Sequence, residues 1–193
     1  MERKRKNTKQ RILEESMKLF SVHGFEAVSI RAIADAVGVG NSALYKHYKN
    51  KQEILEAIVD YSKAYFLEKG CGQMREIESK EAFVYSCLEM FHFQTRDEWM
   101  VMFRRLLLIE QFKNPEMAKI YRDFFIDLPV ISQMKIFETL MEKGYMKHKN
   151  ARLLAMELFS PFFLYHTAPD MENVEEVLKE HVENFWEENF ICR

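Results

Sequence analysis

Ser42, Tyr45, Lys46 and His47 place a hydroxyl, a phenol, an ammonium and an imidazole within six residues, on the outward side of a short segment whose inward positions are Leu44 and Tyr48. Such a set donates and accepts hydrogen bonds and carries positive charge, which is the chemistry of phosphate and base-edge contact. It holds no nucleophile beside a base. The six histidines, His23, His47, His92, His148, His166 and His181, show no HExxH spacing, and the glycines form neither GxGxxG nor GxxxxGK[ST]. His166 with Asp170 reads as an accident of a helix end. Cys71, Cys87 and Cys192 are far apart, odd in number and form no CxxC, so neither a disulfide framework nor a zinc site is supported. The expectation is a chain that is not an enzyme and has no catalytic residues, metal ligands or cofactor.

The elements that must position the polar set follow from apolar spacing and caps. Ile12, Leu13, Met17, Leu19 and Phe20 give one buried face to a helix from Asn7 or Thr8 to His23, stopped by Gly24. Ser29 caps a short second helix with Ile30, Ile33, Ala34 and Val37 inward, and Gly38 ends it where a left-handed backbone is needed. After the Gly38-Val39-Gly40-Asn41 turn, a third helix is predicted over Asn41 to Tyr48. Asn50 with Glu53 starts a fourth, running to Lys69 and closed by Gly70 and Gly72.

Two short helices joined by a tight glycine-containing turn, the second polar and basic outside, form the geometry that enters a major groove. Helical hairpins packed inside a core show the same periodicity, so pattern alone leaves both readings open.

Farther on, Ser79 caps a helix to Phe93, Thr95 with Glu98 resembles a capping box for one to Phe112, and Asn114-Pro115 starts another. Pro129 and Gly144 bracket a segment, Asn150 to His166 contains Pro161, and Glu172 to Phe190 follows Ala168-Pro169-Asp170. The predicted fold class is all-α: an N-terminal three-helix domain with a helix-turn-helix, residues 1–52, and a C-terminal helical domain, residues 53–193.

Composition agrees. Of 193 residues 48% are apolar, enough for a core, and only 6 are Gly and 4 Pro, too few for a turn-rich sandwich or barrel. The net charge of −2 hides an asymmetry: residues 1–52 carry 11 Lys/Arg against 5 Asp/Glu, and the remainder 17 against 25. A basic segment on an acidic body suggests a polyanion at one end, with a solvated charged arm as the plainer reading. The arm Arg3-Lys4-Arg5-Lys6 follows a groove or is a solvated terminus. No apolar h-region or run of about 18 apolar residues is present, so a cytoplasmic protein with no membrane partner is expected.

Gly24-Phe25, Ser29-Ile30-Arg31-Ala32-Ile33-Ala34, Val37-Gly38-Val39 and the run from Leu44-Tyr45-Lys46-His47 to Ile54-Leu55 closely resemble the N-terminal signature of the TetR family. The resemblance covers roughly residues 8 to 55. It implies that Arg31 contacts DNA, that Tyr45 reaches a phosphate, that Lys46 and His47 touch base edges or backbone, and that Lys51 contacts phosphate. The start of the recognition helix departs from the family's frequent Ser-Lys-Gly-Thr, with Gly40-Asn41-Ser42-Ala43 in its place. There Asn41 suits adenine, Ser42 is adaptable and Ala43 suits a thymine methyl.

Dense Met and aromatic residues in the body read first as core, yet they also adapt to irregular apolar ligands, and the resemblance implies a cavity that binds an inducer. Tyr85, His92, Trp99, Met102, Phe103, Arg104, Tyr121 and Phe125 are the candidates. It further implies a homodimer through the last two helices, where Leu154, Leu158, Phe162, Val174, Val177, Leu178, Phe185 and Trp186 form two apolar stripes. The partners expected are a double-stranded, palindromic DNA operator, a small-molecule inducer of hydrophobic or amphipathic character, and a second copy. A repressor is the leading reading. A ligand-independent architectural or partner-binding DNA-binding protein is the alternative.

Overall fold

A computed structural model describes residues 7–70, 79–167 and 172–191. The Arg3–Lys6 arm, Cys71, Gly72, the Ala168-Pro169-Asp170 connection and Cys192 lie outside them. The described residues form helices in the order α1 (Thr8–His23), α2 (Ile30–Val37), α3 (Asn41–Tyr45), α4 (Lys51–Gly70), α5 (Lys80–Arg96), α6 (Glu98–Glu110), α7 (Pro115–Arg122), a π-helical turn (Asp123–Asp127), α8 (Leu128–Glu142), α9 (Ala151–Thr167) and α10 (Val174–Asn189). They divide into two compact units, one of residues 1–69 with 98–119 and one of 70–97 with 120–193.

In the first unit the starts of α1, α2 and α4 are set by side-chain caps. The Asn7 side chain accepts the Gln10 N–H at 2.8 Å and Ser29 accepts that of Ala32 at 3.1 Å, filling donors that have no intrahelical partner. Asn50 accepts the Glu53 N–H at 2.8 Å while the Glu53 carboxylate accepts the Lys49 N–H at 2.6 Å, so the expected start signal is a reciprocal pair, displaced by one residue. Gly38 ends α2 at φ 73°, and the Arg11 guanidinium from α1 donates to the Val37 carbonyl. A Cβ at Gly38 would meet nothing within 4 Å. Gly38→Ala should therefore cost only the left-handed backbone penalty, about 1–2 kcal/mol, measured by urea unfolding.

Ile12, Met17, Phe20, Ile33, Leu44, Ile54, Leu55 and Ile58 are fully buried, and α1 packs on α6, whose Met100, Phe103, Leu106 and Leu107 are buried too. Helix α4 as far as Lys69 and all of α6 share a compact unit with the helix-turn-helix, and periodicity shows that a face is buried without showing against what.

The second unit has its core between α5, α8, α9 and α10. Its centre is a column of rings: Phe137 stacks on Phe185 with centroids 5.4 Å apart, Phe185 on Phe83 at 6.3 Å, and Phe83 meets Phe190 at 5.2 Å. Residues 145–147 pair with the end of α10 through Lys147 N–H to Asn189 O and Ile191 N–H to Tyr145 O, both 2.9 Å. Buried Asn189 is satisfied by Lys149 at 2.7 Å and the Phe185 carbonyl at 2.9 Å.

Three expected helix limits move. The third helix stops at Tyr45, because Lys46 and His47 turn the chain so that Tyr48 enters the core. Thr95 lies inside α5, its hydroxyl donating back to the Phe91 carbonyl at 2.7 Å, and the break falls at extended Asp97. Pro129 does not interrupt the chain. The π-helical turn runs straight into α8, where a proline in the first turn needs no N–H partner.

Candidate nucleic-acid interface

The α2–turn–α3 segment keeps Ile33, Ala34, Val37 and Leu44 inward and turns polar groups to solvent. The Arg31 side chain is 83% exposed, and its Nε lies 3.9 Å from Asp35 one turn on. An exposed pair of this kind is held weakly, so the guanidinium is available to another anion. Asn41, Ser42, Tyr45 and Lys46 are exposed, and Ala43 and His47 are half-buried. Lys46 and His47 project from the turn after α3 and not from the helix itself.

Lys51 is engaged within its own unit. Its ammonium donates to the Phe25 carbonyl at 2.7 Å and the Glu26 carbonyl at 3.3 Å and lies 4.3 Å above the Phe25 ring. Two of its three donors are thus used inside the protein, and its placement is set by the α1–α2 turn.

The residues expected to line a ligand cavity fall in different units: Trp99, Met102, Phe103 and Arg104 in the first, Tyr85, His92, Tyr121 and Phe125 in the second. Phe103, Arg104, Tyr121 and Phe125 are buried, while Tyr85 is 51% exposed, rotated off the face of α5 that buries Phe83 and Val84. The Trp99 indole donates to Ser62 at 2.9 Å, and its ring meets Tyr61 edge-on, fixing α6 on α4. His92 lies 3.3 Å from Glu175, which also holds Arg96 at 2.9 Å. The Arg96 hydrogen bond, with His92 nearby, keeps the Glu175 carboxyl below its usual range.

The residues of the expected dimer stripes divide by burial. Leu154, Leu158 and Phe162 of α9 and Leu178 and Phe185 of α10 are buried in their own unit's core, and Val174 and Trp186 pack partly buried against it. Only Val177 of the expected set is exposed. Helix α9 is apolar on two faces, and the stronger face belongs to the protomer itself. Its outward face carries Leu153, 63% exposed, with Met156 and Leu164, residues the sequence reading passed over although they repeat at helical spacing.

Among the described residues no group of His, Cys, Asp and Glu is arranged to hold a metal ion, and no helix is long and apolar enough to cross a membrane. Burial pushes the Cys87 thiol up to about 12, leaving it a thiol and not a nucleophilic thiolate.

Comparison with known proteins agrees with this geometry. Residues 12–58 match the family of bacterial regulatory proteins designated tetR. The chain is 33% identical over 70 residues to the uncharacterized HTH-type transcriptional regulator YerO of Bacillus subtilis, covering 36% of this chain and 23% of that one. It is 26% identical over 94 residues to the HTH-type transcriptional repressor AcnR of Corynebacterium glutamicum, covering 49% and 46%. The chain thus spans less than half the length of these curated relatives. A structure of a Saccharomonospora viridis protein described as a transcriptional regulator, in complex with choline, superposes with a TM-score of 0.70 at 20% identity over 96% of this chain and 98% of that one, which shows the shared fold. The family is one of transcriptional regulators and not of enzymes. The likeness to the TetR family thus rests on the helix-turn-helix of residues 12–58.

Proposed function

We propose that this chain represses transcription by binding an inverted-repeat DNA operator as a homodimer, and that a small hydrophobic or amphipathic ligand in the helical body releases it. The observation that carries the reading is the exposure of Arg31, Asn41, Ser42, Tyr45 and Lys46 around a short helix anchored by fully buried Leu44. An Arg fork clamps a phosphate or pairs with guanine, and a phenol donates to a phosphate oxygen. Support for the dimer comes from the outward apolar face of α9, Leu153, Met156 and Leu164, and from exposed Val177 of α10. Two recognition helices related by a two-fold axis would meet major grooves about 34–36 Å apart. The ligand component draws on the choline-bound relative and on the Met- and aromatic-rich body. Release requires the ligand to favour one of two states, since equal affinity for both shifts nothing.

The test titrates the protein onto fluorescent duplex from the region upstream of its own gene and onto an unrelated duplex, at several salt concentrations. Binding to the first should be at least about a thousandfold tighter. Arg31→Ala should lose about 1–3 kcal/mol of it, with Tyr45→Phe beside it to test the phenol O–H. Equal, weak, salt-dependent binding to both duplexes would favour the architectural reading.

A further inference from the structure

Glu110, in the last turn of α6, has only 2% of its surface exposed. A buried acid is costly unless hydrogen-bonded, and this one reaches across 85 residues of sequence to accept the Phe25 N–H at 2.9 Å. The carbonyl of the same residue accepts from Lys51 of α4 at 2.7 Å. Phe25 therefore has both backbone groups taken by side chains from two helices distant in sequence, while its ring packs edge-on against Phe20 at 5.3 Å. The neighbouring residue leaves room for nothing else: a Cβ on Gly24 would lie 2.8 Å from Glu110 Oε1 and 3.2 Å from Ile109 Cγ2.

Phe25 sits in the turn from which the chain enters α2 and then α3. The direction of the backbone there decides where Arg31 and Tyr45 point, and a recognition surface tolerates only about 0.5 Å or 10–20° of error. We propose that Glu110 and Lys51 form a two-sided clamp on the Phe25 peptide, which makes Glu110 a positioning residue for sequence-specific DNA binding although it lies on α6 and touches no DNA. This rests on the reading of α2–α3 as the DNA-contacting segment. The clamp explains the buried acid and gives Lys51 a role other than phosphate contact.

The test uses the full chain. Wild-type protein selects a duplex from a random-sequence pool; that duplex and an unrelated one are then titrated with wild type, Glu110→Gln and Glu110→Ala, and exchange of the Phe25 amide is followed in DNA-free protein. Glu110→Gln, which retains an acceptor, should stay within about threefold of wild type in both readouts. Glu110→Ala should bind the selected duplex about tenfold or more weakly, change by less than about twofold on the unrelated duplex, and exchange the Phe25 amide about tenfold faster. Should the alanine variant not fold, Glu110→Asp, with the carboxylate drawn back by one methylene, carries the comparison.

Wild-type affinity in the alanine variant would overturn the proposal. So would a parallel loss on both duplexes that follows the folded fraction, as mere destabilisation gives. If wild type selects no sequence, the DNA reading fails on its own. The clamp then stands on amide exchange, supported by release in alanine but not in glutamine and overturned by equal exchange in all three.

Discussion

Replacing Leu153 and Leu164 together by glutamate is expected to give a folded monomer that no longer holds its operator. Both side chains are exposed, 63% and 56%, so the protomer loses no core and its own stability should change by less than about 1 kcal/mol. In a dimer that covers this face each leucine contributes roughly 1.5–3 kcal/mol by burial, and a glutamate there adds a desolvated charge. Breaking the pair removes the second recognition helix from the operator. The advantage of linked binding, about 10²–10⁴-fold in affinity, goes with it. Sedimentation velocity and operator titration measure the two effects. Leu154→Glu supplies the contrast, because Leu154 faces the core and its loss should unfold the second unit. A double variant that remains dimeric would place the interface elsewhere.

Phe137→Ala is expected to be the most damaging truncation to stability. Phe137 is fully buried and begins the column of rings that continues through Phe185 and Phe83 to Phe190, tying α8, α5 and the end of α10 together. Losing a buried phenylalanine costs about 3–5 kcal/mol, a large share of the 5–15 kcal/mol that holds a typical fold. For a chain of this size each kcal/mol moves the midpoint by roughly 2–4 °C, so a fall of roughly 6–20 °C is expected by calorimetry. A loss below about 1 kcal/mol would mean that neighbouring side chains collapse into the space, and that the column has no special part in the core.

Local chemistry was legible in the sequence where its partners are close. Asn7, Ser29, Gly38 and Asn50 act within four residues of themselves, and their roles as helix starts and stops follow from residue type and position. The exposed set around α3 was legible for the same reason, since Leu44 alone has to be inward to turn Ser42, Tyr45 and Lys46 outward. Thr95 misled because one hydroxyl can cap a helix or donate back into one, and only the conformation of Asp97 decides between them. The stripes of α9 show a second limit. Two apolar faces on one helix say that two surfaces are to be covered, without saying which belongs to the protomer. Lys51 and Glu110 show a third, because their bonds to residue 25 span 26 and 85 positions and leave no periodic trace.

The first unit is discontinuous, built from residues 1–69 and 98–119. During synthesis the helix-turn-helix therefore leaves the ribosome before the helix that covers α1. At roughly 5–20 residues per second, the interval from residue 52 to residue 119 lasts about 3–13 s. Through that time the α1 surface destined for α6 has no cover, and it presents itself to chaperones. The basic segment thus reaches its final shape only once residue 119 has been made, well after its own last residue.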